Sequence, residues 1–182
     1  MIGAIGVGMN QAAIPARFVR DTDIDVVLLA GRYTLLDQSG LDDLLPAAEA
    51  RGVSVVIGGV FNSGILADPR RGATFDYGAA SEDALTRALH IQVLCQKRGI
   101  NLRAAALQFP FGHSAVSSVL IGARSPDEVR DAVEQAKWPI PLELWHELHT
   151  SGLLPENVPL PDQTRRGNAA AGSPLGASVP GV

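Results

Sequence analysis

Short uninterrupted apolar runs alternate along this chain with longer stretches in which apolar residues recur every three or four positions. Four of the runs read as strands: residues 4–8 (AIGVG), 25–30 (DVVLLA), 53–57 (VSVVI) and 119–121 within SSVLIG. None shows the polar alternation of a half-solvated strand, so each is expected to be buried on both faces, as parallel strands under crossover helices are. Between them, residues 15–20, 41–51 and 82–97 carry helical spacing, and Gly52 and Gly99 stand where a helix stops. A helix over 102–108 has Asn101 available as its N-cap and Pro110 beyond its end. Ser125-Pro126-Asp127-Glu128 combines an N-cap, a proline at the first helical position and a capping-box glutamate, which predicts a helix running to about Lys137. A last short helix covers 142–150.

Strands alternating with helices predict an α/β fold with four parallel strands and flanking helices. Periodicity leaves the strand order open: four such units make either a small doubly wound sheet or part of an eightfold barrel. Residues 1–161 read as one domain, and 162–182, rich in Gly, Ala, Pro and Ser, bury too little to order themselves. A hydrophobic content of 46% over 182 residues supports a globular core. The formal net charge of −4, with no cluster of Lys and Arg, excludes the electrostatic footprint of a nucleic-acid or anionic-membrane binder. No apolar stretch approaches the roughly 20 residues of a spanning helix. One cysteine, Cys95, admits no internal disulfide, and no secretory leader is legible, so a cytoplasmic protein is expected. Cys95 lies in an apolar helical stretch and reads as an inert core thiol.

Familiar nucleotide motifs are missing. No GxGxxG follows the first strand, of which Gly6-Val7-Gly8 is a fragment at most, and there is no Walker A pattern. His146 and His149 share the last helix with Glu143 and Glu147 without completing a zinc site, so no metal is expected.

Four blocks, in fixed order and each at a strand end, carry a resemblance: AIGVGMNQ (4–11), DVVLLAGRYTLLDQ (25–38), GVFNSGILA (59–67) and SVLIGARSPDEV (118–129). Together they resemble the second half of the aldo-keto reductase family, strands five to eight of its (β/α)₈ TIM barrel, and most of all its aldose- and pyridoxal-dehydrogenase branch. The resemblance implies an active site at the C-terminal ends of the strands. It implies too that the family's acid set, an Asp, a Tyr, a Lys and a His, belongs to the first half of the barrel. None of those positions is matched here, so no catalytic residue is assigned. Tyr33 matches a tyrosine outside that set, Tyr77 lies in a Gly-rich loop, and His113 in FPFGH is a loop residue.

What carries over is cofactor contact. Gly8 and Met9 stand where relatives place Ser-Asn on the nicotinamide amide, with Asn10 one position later. Ala30 replaces a common glutamine, and Gly58 stands where many members set an aromatic residue against the nicotinamide ring. Phe61, Asn62, Ser63, Gly64 and Leu66 correspond to the segment passing over the pyrophosphate, where small side chains let backbone N–H groups approach phosphate; a plain Asn-Gly turn is the alternative. Gly122, Ala123 and Arg124 lead into the helix opened by Ser125, where the family holds the adenosine end, and Arg124 is either a phosphate partner or a solvated charge. Glu128 and Asp131, with Asp127, put negative charge where a 2′-phosphate would lie, which favours NAD over NADP.

The resemblance therefore implies NAD(P)-dependent hydride transfer on a sugar or other small aldehyde or alcohol, with this chain supplying the cofactor-binding half. The alternative is a non-catalytic truncated or split half-barrel that binds nucleotide weakly. Either reading implies assembly, as a homodimer or with the missing N-terminal half, and neither nucleic acid nor membrane is an expected partner.

Overall fold

The computed structural model describes residues 2–162. Residues 163–182, nearly all of the expected disordered tail, lie outside the described residues. The strands are β1 Gly6–Met9, β2 Val26–Ala30, β3 Ser54–Gly58, the two-residue pair β4 Thr74–Phe75 and β5 Gly78–Ala79, and β6 Val116–Leu120. The helices are α1 Ala13–Asp21, α2 Leu44–Arg51, α3 Glu82–Lys97, α4 Leu102–Gln108, α5 Pro126–Lys137 and α6 Leu142–Thr150.

Four strands form one parallel sheet in the order β1-β2-β3-β6, while β4 and β5 make a separate antiparallel hairpin. Chain order and spatial order of the large sheet coincide. A doubly wound sheet reverses its order at a switch point, and a barrel segment does not, so the strand order decides between the two alternatives in favour of the barrel segment.

One face of this sheet is a core layer. Val27, Leu29, Val55 and Ile57 are fully buried against the helices, with Leu44, Leu45, Ile91 and Trp145 in the same cluster. The opposite face differs from expectation. Its rows pair Gly8 with Leu28, Leu28 with Val56 and Val56 with Ser118, and then Ala30 with Gly58 and Gly58 with Leu120. Leu28, Ala30 and Val56 are only half-buried, and Gly8, Ser118 and Leu120 are exposed. The strands are thus apolar on both faces but covered on one.

Local chemistry sets most boundaries. Gly52 ends α2 at φ 67°, in the left-handed region that spares a Cβ clash. Asn101 opens α4 by accepting from the Arg103 N–H, and the Ser125 hydroxyl opens α5 by accepting from that of Glu128. The helix expected from residue 41 begins at Leu44, because Ser39–Leu41 form a separate 3₁₀ turn and Pro46 then sits in the first helical turn, where its missing N–H costs nothing. The last strand begins three residues earlier than its apolar core, since Ser117 and Ser118 face solvent. No helix among the described residues is long and apolar enough to cross a membrane.

Candidate functional site

Because the four strands are parallel and in near register, their C-terminal ends meet along one edge. Met9 and Asn10, Ala30 and Gly31, Gly58 and Gly59, and Leu120 with Ile121 and Gly122 succeed one another there. Gly31 turns the chain at φ 72° and Gly59 at φ 65°. The two are in close contact: a Cβ on Gly59 would lie 3.2 Å from the Gly31 nitrogen, and the Gly31 N–H donates to the Gly58 carbonyl at 2.9 Å.

The loop after β3 supplies the next layer. Asn62 and Ser63 both take left-handed backbone, at φ 43° and 59°, and Gly64 lies at φ 107° with nothing within 4 Å of where a Cβ would stand. Asn62 is only 4% exposed; its Nδ2 donates to the Gly31 carbonyl at 3.3 Å, while its Oδ1 has no partner among the described residues. The N–H groups of Asn62, Gly64 and Leu66 already donate to the Gly59 and Phe61 carbonyls. What this loop offers a ligand is therefore an open approach over Gly64, with the Asn62 Oδ1 buried beneath it. Phe61 is half-buried against the core, and Leu66 lies wholly inside it.

Asn10, Asn62 and Ser63 come together in one cleft with Ala30, Gly31, Gly59, Asp76 and Tyr77. Gly8 sits just below, exposed on the open face, and Met9 points to the helix side, half-buried. Beyond β6, Gly122, Ala123, Arg124 and Glu128 form a second group. Glu128 Oε2 accepts from the Arg124 N–H at 2.7 Å and Oε1 from its guanidinium at 3.2 Å. The capping box is therefore shifted by one residue, closing on the N–H before the N-cap. These bonds, that to the Arg124 N–H first, hold the Glu128 carboxyl below its ordinary pKa. Asp131, one turn on, is paired with Arg103.

Sequence reasoning missed a tie across the cleft. Arg32 donates through Nε to the Asn10 carbonyl at 2.9 Å, through Nη1 to Asp37 at 3.1 Å and through Nη2 to Asp76 at 2.8 Å. Hydrogen bonding to Asp76 is the largest influence raising its pKa, with Asp37 adding to it against desolvation. Nothing local signals this, because Arg32 and Asp76 are brought together only by the hairpin. Tyr33 and Cys95 are both fully buried: burial raises the Tyr33 phenol, and pushes the Cys95 thiol up to about 12, so neither ionises near neutrality.

Comparison with known proteins gives this edge a context. The model of the Aldo/keto reductase family matches residues 1–150. Pyridoxal 4-dehydrogenase of Microbacterium luteolum is 45% identical over 154 residues, 84% of this chain and 45% of that protein. D-threo-aldose 1-dehydrogenase of a Pseudomonas species is 36% identical over 157 residues, 85% of this chain and 48% of that protein. Among solved structures, an aldo-keto reductase from Bacillus halodurans in its holo form superposes with a TM-score of 0.62 at 22% identity, covering 88% of this chain and 52% of its own. The glycerol dehydrogenase of Gluconobacter oxydans gives 0.59 at 19% identity, with 87% and 51% covered. The chain thus spans about half the length of the curated relatives it matches. Aldo-keto reductases use NAD(P)H. By the family model that covers most of its length, this chain belongs to the aldo/keto reductase family.

Proposed function

We propose that this chain is the nucleotide-holding half of an NAD(P)-dependent oxidoreductase acting on the hydroxyl or aldehyde of a sugar or similarly small polar molecule. The observation that carries this reading is the unobstructed approach over Gly64 at the edge where four parallel strands end. NAD(P), when bound, supplies the hydride chemistry; the protein binds and orients. Gly8, Met9 and Asn10 would flank the nicotinamide end, and Phe61, Asn62, Ser63 and Gly64 the pyrophosphate, with the buried Leu66 anchoring that loop in the core rather than touching the ligand. Gly122, Ala123, Arg124, Glu128 and Asp131 would hold the adenosine end. The negative charge of Glu128 favours NAD over NADP.

The proton-transferring acid would come from a complementary half-barrel, and residues 1–161 act as one partial-barrel domain within that assembly. A lone buried thiol at Cys95 fits a cytoplasmic setting. The half-open face of the sheet favours a second reading as well, a half-barrel without turnover that binds nucleotide weakly and assembles with another chain. Titration calorimetry of the full chain with ADP-ribose, which has the adenosine and pyrophosphate but no nicotinamide, tests what both readings share. Saturable binding is expected, and its absence at millimolar ligand would remove the cradle.

A further inference from the structure

The helix layer ends with α1 at one side and α5 at the other, because α1 follows β1, the first strand of the sheet, and α5 follows β6, the last. Each of the two helices has one flank turned to its neighbour. Arg20 of α1 pairs with Asp43 at the start of α2, and Asp131 of α5 pairs with Arg103 of α4, whose Gln108 side chain also donates to the Gln135 carbonyl at 2.7 Å. The other flank of each helix is open. On α1 it carries Ile14, Phe18 and Asp21, and on α5 Val129, Val133 and Lys137, at spacings of three or four that put each set in one row along its helix. The four apolar residues are 37% to 49% exposed. A helix packed on a core is ordinarily polar on the sides it turns to water, so an apolar row at each end of the layer is not accounted for by this chain's own core.

The two rows match one another in order and in charge. Asp21 and Lys137 each end a row, both are exposed, and neither is in an ion pair among the described residues. Asp21 is the last residue of α1, where the helix dipole disfavours negative charge, so a cation beside it stabilises that end. The strands that precede the two helices also end the sheet, and among the described residues each has one unpaired edge. We propose that these flanks form an interface between two copies of the chain, in which α1 of one copy lies alongside α5 of the other and runs in the same direction. Ile14 and Phe18 pack there against Val129 and Val133, and Asp21 pairs with Lys137. The parallel strands fix the direction: setting β6 of one copy beside β1 of the second, in parallel, brings α5 beside α1 with their ends in this order. Twofold symmetry makes the same seam twice, so the assembly closes at two. The seam rests on the half-barrel reading and not on the nucleotide cradle.

Sedimentation equilibrium of the full chain over a concentration series measures the association, with ADP-ribose titrated in parallel. A dimer is expected. Asp21→Lys and Lys137→Asp should each weaken it by about fivefold to twentyfold, since each reversal turns an attraction into a repulsion at both seams, and the doubly reversed chain should recover the lost affinity. Cross-linking locates the contact. Asp21→Cys together with Lys137→Cys in one chain should give a disulfide-linked dimer under copper-catalysed oxidation, whereas either substitution alone should not, because the seam sets Asp21 against Lys137 and neither against its own copy. Cys95 is buried and does not compete. A monodisperse monomer overturns the seam and leaves both flanks to a different protein. A dimer that ignores charge reversal, or that either single substitution cross-links, overturns it as well, because the copies then meet by another face. ADP-ribose bound by a monomer overturns the seam and leaves the cradle standing. A charge-sensitive dimer without ADP-ribose binding supports the seam and removes the cradle.

Discussion

Glu128 closes the start of α5 with a carboxylate whose pKa is lowered, because the Arg124 N–H and guanidinium both bind its charged form. Arg124 is correspondingly paired with Glu128, although its side chain is 92% exposed. In the proposed cradle Glu128 and Asp127 set negative charge at the start of α5, so NAD is expected to bind more tightly than NADP. Replacing Glu128 with Arg should narrow or reverse that order in a competitive titration. Since the folded-state pKa is lowered, the repulsion is complete above the ordinary carboxylate range and fades as pH falls through the depressed value. The preference for NAD should fade with it. Tighter binding of NADP by the unmodified chain would mean that Arg124 exchanges Glu128 for the phosphate. Glu128 was legible as a cap from its place three residues after a serine, whereas Asn62 and Gly64 came into view only through the resemblance, since locally they read as a plain turn. Arg32, Asp76 and Tyr77 were not, because their roles arise from contacts 14 to 44 residues apart that no local spacing announces.

At the scale of the element, the legible boundaries are those fixed by short-range hydrogen bonds. Ser125 is the clearest case: its hydroxyl accepts from the Glu128 N–H at 3.2 Å, with Pro126 at the first helical position. Ser125→Ala should cost about 1 kcal/mol, a fall in melting temperature of roughly 2–4 °C for a chain of this size. Calorimetric melts of the two proteins measure it, and an unchanged melt would mean that the Glu128 carboxylate alone caps α5. The stop at Gly52 and the start at Asn101 were readable for the same reason. Elements without such a signature drifted. The strand β6 contains Ser117 and Ser118, which break its apolar run, and the hairpin of β4 and β5 turns on Asp-Tyr in place of the Asn-Gly that would have marked it.

At the scale of the molecule, the sheet has a finished face and an unfinished one. Val27, Leu29, Val55 and Ile57 are sealed under helices, while Leu28, Ala30 and Val56 are half-buried and Leu120 is 53% exposed on the other side. Among the described residues β1 and β6 each pair on one edge alone, leaving unsatisfied backbone donors and acceptors along the other. A closed barrel removes both defects at once, since it has no edges and fills its interior with side chains from every strand. Two copies related by a twofold axis can supply the same closure, with β6 of each beside β1 of the other and the open faces packed together, and such an interface repeats itself in both directions and stops at two. A complementary half-barrel would close it equally well. Purified chain alone is therefore expected to run in size-exclusion chromatography with light scattering as a dimer or larger species. Exchanging Leu28 and Val56 for Ser should shift it toward smaller species by removing apolar area from the contact. A monodisperse monomer that unfolds cooperatively would show that the open face needs no partner, and would count against the half-barrel assembly on which the proposed chemistry depends.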